Sequence, residues 1–66
     1  MLNITKNGAV HTMFASGAVR NTREEIIAFY DRESGELSIN YIPQAFHAID
    51  EQHAMELVAR HYVPRD

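Results

Sequence analysis

Three hydrophobic patterns divide the chain. Over residues 37–42, apolar and polar positions alternate: Leu37, Ile39 and Tyr41 on one side, Ser38 and Asn40 on the other. A period of two marks a strand that buries one face. Near the C-terminus, Ala54, Met55, Leu57, Val58 and Tyr62 recur at helical spacing, with Gln52, Glu56 and Arg60 opposite them. That stripe predicts an amphipathic helix over residues 51–62. The third pattern is the unbroken apolar run Ile26–Tyr30, IIAFY. Two adjacent β-branched residues and two aromatics favour a strand there. Such a strand is apolar on both faces and needs cover on both.

The punctuation between these runs predicts how they connect. Asn7-Gly8 suits a two-residue type I′ turn, because both positions tolerate positive φ. Pairing across it sets Ile4 opposite His11 and Leu2 opposite Met13, with Thr5/Val10 and Asn3/Thr12 on the other face. In DRESGE, Gly35 supplies a left-handed turn position and the Asp31 carboxylate accepts backbone amides. A four-residue turn over residues 32–35 pairs Tyr30 with Leu37 and Ile26 with Tyr41. A bulge would instead pair Phe29 with Leu37. Asp50 is a good helix N-cap, Glu51 suits the positive end of the helix dipole, and Pro64 is a stop. Residues 16–23 read as a loop, from Gly17, Asn21 and Thr22. Residues 44–49 read as a turn followed by an extended segment. One local signal competes: Thr22 followed by Glu25 matches a capping box, which would make residues 23–31 a helix.

These elements predict a single domain over residues 1–66 of α+β class: a small antiparallel β-meander of three to four strands with one C-terminal helix packed on one sheet face. Two layers are the minimum that buries the apolar side of each element. The other sheet face keeps two or three apolar residues, which the N-terminal hairpin or a second copy of the chain would cover.

Size sharpens that question. A domain of 66 residues buries only about 60% of its unfolded surface, so its core is marginal. The sequence has no cysteine, hence no disulfide and no thiolate metal site. Residues 1–23 carry Lys6, Arg20 and Arg23 and no acid; residues 24–66 carry nine acids against Arg32, Arg60 and Arg65. The halves are therefore +3 and −6, consistent with internal complementarity or with contact between copies. A single lysine argues against nucleic-acid binding, which neutralises many phosphates. MLNITKNG lacks the apolar run of a secretory signal, and no stretch approaches the roughly 20 apolar residues of a membrane span. A soluble, cytoplasmic protein with no membrane association is expected.

Candidate chemistry is thin. His53 and His61 are eight residues apart, too far for both to reach one ion on a helix. Asp50 could orient His53, but Ser16, Ser34 and Ser38 lack a nucleophile-elbow context. The carboxylate pairs Glu24-Glu25 and Asp50-Glu51 are adjacent and do not face one another. Gly8, Gly17 and Gly35 are too dispersed to cradle a phosphate. No enzymatic activity, catalytic residue, metal or cofactor is expected. The expected function is an interaction surface, in a homodimer or as an inhibitor or regulator of a larger protein. Ile27, Phe29 and Tyr30 would form it, with Arg32 and Glu33 at the turn tip. The alternative is a small-ligand or nucleotide module in which His11, Arg20, Tyr41 and His47 line a cleft between sheet and helix.

Overall fold

The computed structural model describes residues 2–6 and 9–62. Among these, six strands form one antiparallel sheet in chain order: β1 (Leu2–Lys6), β2 (Ala9–Met13), β3 (Ala18–Arg20), β4 (Ile26–Tyr30), β5 (Glu36–Ile39) and β6 (Phe46–His47). Helix α1 (Glu51–His61) follows and packs on one face. The expected α+β meander is present, with more strands than the three or four expected.

The first hairpin has the register that the alternation predicts. Leu2 lies opposite Met13, Asn3 opposite Thr12, Ile4 opposite His11 and Thr5 opposite Val10. The type I′ turn assigned to Asn7-Gly8 lies outside the described residues. The hairpin does not fold back over the sheet; it extends it, and α1 also contacts β1.

Strand β3 is a correction to the loop expected over residues 16–23. Its three residues are too few to announce themselves, but both neighbours hold them. The amide of Phe14 donates to the Ala18 carbonyl at 2.9 Å, and that of Tyr30 to the Gly17 carbonyl at 2.9 Å. The helix start read from Thr22 and Glu25 does not form. Asn21 organises this turn instead: its Oδ1 accepts from the amides of Arg23 (2.9 Å) and Glu25 (3.0 Å), and its Nδ2 donates to Glu25 Oε1 (3.1 Å). Local side-chain bonding of this kind competes with helix nucleation.

The β4–β5 turn follows its sequence. Gly35 has φ +78°. The Asp31 carboxylate accepts from the amides of Glu33 (2.9 Å) and Ser34 (3.4 Å). Tyr30 pairs with Leu37, as the four-residue turn requires. The expected partnership of Ile26 with Tyr41 is absent, because β5 ends at Ile39 and Tyr41 turns away at φ +68°. Asn40 closes that end, its amide donating to the Ile27 carbonyl (2.8 Å) and its Nδ2 to the Ile26 carbonyl (2.8 Å).

A bulge decides the faces of β4. Val19 pairs with Ala28 but the next residue, Arg20, pairs with Ile26, so Ile27 is the extra residue. One extra residue reverses the alternation beyond it. Ile27, Ala28 and Tyr30 therefore all point into the core, where each is at most 3% exposed. Only Ile26 and Phe29 face outward.

The core comprises Met13, Val19, Ile27, Ala28, Tyr30, Leu37, Ile39 and Ala48 with Ala54, Met55, Val58 and Tyr62. Buried His11 sits at its edge, its ring meeting Tyr62 edge-on at 6.0 Å. The helix start is closed by a reciprocal pair. Asp50 Oδ1 accepts from the His53 amide at 2.8 Å, and His53 Nδ1 accepts from the Ile49 amide at 3.1 Å. Asp50→Ala is expected to cost about 1 kcal/mol, the usual worth of an N-cap. Urea unfolding checks this; a loss below about 0.3 kcal/mol would show that the cap contributes nothing.

Candidate functional site: the uncovered sheet face

Helix α1 covers one face of the sheet; no described element lies on the other. The outward positions follow from the alternation of buried and exposed residues along β3, β4 and β5. Phe29 lies near the middle, with Ala18 beside it on β3 and Ser38 on β5. Its ring leans over Gly17, within 3.5 Å of where a Cβ would stand. Arg20 lies between Thr12 on β2 and Ile26 on β4. Phe29 is 49% exposed, Ile26 52% and Val10 40%. Three large apolar side chains thus stand in solvent on one side of the sheet.

Arg20 is the cation of this face. Its guanidinium sits 5.1 Å above the Phe14 ring. The weakly hydrated, planar group tolerates this semi-apolar setting as lysine would not. Its Nε is shielded from water and has no hydrogen-bond partner among the described residues. Glu36 opens β5 on the same side, since Leu37 beside it points inward.

The other residues expected to form an interface are placed differently. Ile27 is in the core because of the bulge. Tyr30 is there too, its hydroxyl donating to the Ala48 carbonyl at 3.1 Å. Arg32 is not free at the turn tip. It donates to the carbonyls of Ala15 (2.6 Å) and Phe14 (3.1 Å) and to Glu51 Oε2 (2.5 Å), tying the β2–β3 turn to the start of α1. Glu33 is exposed at the tip, as expected. Phe29 alone of the expected apolar residues belongs to the open face. Sequence reading misses Arg20 as its companion because residues 16–23 read as a loop, and the alternation Ala18, Val19, Arg20 is too short to overrule that reading.

The four residues of the ligand-binding alternative do not converge. His11 is buried on the helix side and Arg20 stands on the opposite face. Tyr41 is exposed at one end of the sheet, beside a pocket of about 70 Å³ lined by Glu25, Ile26, Ile27, Asn40 and Tyr62. His47 is in β6, on an open hollow of about 370 Å³ shared with Ser34, Glu36, Ala45 and Phe46. The first pocket is too small for a nucleotide and the second is an open hollow with no basic side chain other than His47 in its lining. Among the described residues, no three His, Asp or Glu side chains cluster closely enough to hold a metal ion. No described helix is long and apolar enough to cross a membrane.

The fold and face together define a two-layer α+β domain with a one-sided sheet. No protein-family model, curated protein or solved structure matches the chain.

Proposed function

We propose that this chain is an interaction protein whose working surface is the uncovered sheet face, and that it self-associates there as a homodimer. The observation that carries this reading is the exposure of Phe29, Ile26 and Val10 together on a sheet face that the helix leaves open. Large apolar side chains left in water on an uncovered sheet face support a contact surface there. A domain this small also gains most from borrowed cover, since its own core is marginal. The same surface suits an inhibitor or regulator that acts by docking on a larger protein.

Sedimentation at micromolar concentration tests the reading, with wild type and Phe29→Ser side by side. The wild type is expected above its monomer mass of 7.5 kDa. Phe29→Ser is expected to sediment as a monomer and to be more soluble, with an unchanged far-UV circular dichroism spectrum. A monomeric wild type whose solubility is unaffected by Phe29→Ser removes the basis for the proposal.

A further inference from the structure

The registers place three residues of the open face on one diagonal. Ser38 lies opposite Phe29 on β5, and Ala18 lies opposite Phe29 on β3. Glu36 is two residues from Ser38, toward the β4–β5 turn. Arg20 is two residues from Ala18, toward the other end of β4, where it pairs with Ile26. Each step of two residues keeps the side chain on the same face. Glu36, Phe29 and Arg20 therefore lie in line, one strand and one outward position apart on either side of Phe29. An anion and a cation flank an exposed aromatic ring at matched offsets.

That arrangement is self-complementary. In a face-to-face pair, a two-fold axis lying between the sheets, passing over Phe29 and crossing the diagonal at right angles, places Phe29 on its own copy. The same rotation brings Arg20 of each chain over Glu36 of the other. A two-fold contact must use one patch twice, and this patch satisfies that requirement. Because the Nε of Arg20 is shielded from water, Arg–carboxylate pairing across the interface would use the terminal nitrogens of the guanidinium.

We infer that the occupant of the open face is a second copy of this chain, docked sheet to sheet with Phe29 on the two-fold axis and two Arg20–Glu36 pairs across the interface. This rests on the homodimer proposed at the open face and adds its geometry. A partner of different chemistry would need neither the matched charges nor their equal offsets from the ring.

Charge exchange tests it, read by sedimentation across a concentration series. Arg20→Glu alone places two carboxylate pairs against one another, and Glu36→Arg alone places two guanidinium pairs. Each single variant is expected to weaken the dimer by about tenfold or more, since like charges juxtaposed in an interface are strongly unfavourable. The double variant restores both pairs with their signs reversed and is expected to dimerise like the wild type. An equimolar mixture of the two single variants is expected to form a heterodimer, because every charge in it meets its opposite. A tagged double variant is expected not to capture wild-type chains. Glu36 is exposed, so Glu36→Arg remains informative if Arg20→Glu folds poorly by itself.

Two outcomes overturn the inference. A dimer that Phe29→Ser dissolves but charge exchange leaves intact rejects this geometry and keeps the open face as an interaction surface. A wild type that stays monomeric throughout rejects the second copy; the solubility of Phe29→Ser then decides whether the face serves another partner.

Discussion

Gly17→Ala is expected to remove a large share of the protein's stability at 25 °C. A Cβ at position 17 would stand 2.1 Å from the Tyr30 carbonyl oxygen and 3.2 Å from its carbon. These are backbone atoms of the adjacent strand, so no rotamer change relieves the clash. The same two residues are joined by the hydrogen bond from the Tyr30 amide to the Gly17 carbonyl. Moving β4 away would break it and lift Tyr30 from the core. Gly17 also has φ +97°, which alanine adopts only under strain. A loss of about 3–4 kcal/mol is expected, in the range that backbone strain and disrupted packing reach. A domain of this length holds on the order of 3–10 kcal/mol in total.

Gly35→Ala serves as the comparison. There the nearest atom is the His47 ring at 2.7 Å, the end of a side chain that can swing aside, though the Ala48 carbonyl oxygen follows at 3.0 Å. With φ +78°, about 1–2 kcal/mol is expected. Urea unfolding followed by circular dichroism ranks the two. If Gly35→Ala proved the more damaging, or Gly17→Ala kept wild-type stability, the account of β3 would be wrong.

Leu37→Ala is expected to cost about 2–5 kcal/mol, the range for a large aliphatic deleted from a packed core. Leu37 is wholly buried, on the core side of β5 between its register partners Tyr30 and Phe46. Helix and sheet are both anchored around it, so the void has little freedom to collapse. Phe29→Ala removes more atoms, yet at low protein concentration, where only monomer is present, it is expected to cost less than about 1 kcal/mol. Phe29 already has half its surface in water. Unfolding midpoints for the two variants measure which sheet face is the inside. Equal losses would mean that the faces had been misassigned.

Local chemistry was legible residue by residue. Asn7-Gly8 and the flanking alternation gave the register of β1 with β2. Asp31 and Gly35 gave the β4–β5 turn, and Asp50 the helix start. Each signal acts within about four residues, over which sequence and geometry are tightly coupled. The open face was foreseen in kind but not in membership. Unbroken alternation along β4 puts Phe29 on it correctly but also puts Ile27 there, and position in a turn puts Arg32 there.

The sequence by itself determined the fold class, the first hairpin's register and the N-cap of the helix, because those depend on periodicity and on short-range hydrogen bonding; the stop assigned to Pro64 lies outside the described residues. Tertiary structure decided three matters. Strand β3 exists because two neighbours bond to it, which no three-residue propensity can announce. The bulge at Ile27 arises from the pairing of β3 with β4, and it turns two successive side chains into the core. Arg32 is drawn to Glu51, 19 residues away in the chain. All three depend on contacts between segments distant in sequence, so a pattern read along one strand could not fix them. Together they make the open face a patch of Phe29, Ile26, Val10 and Arg20, with Glu36 at its rim.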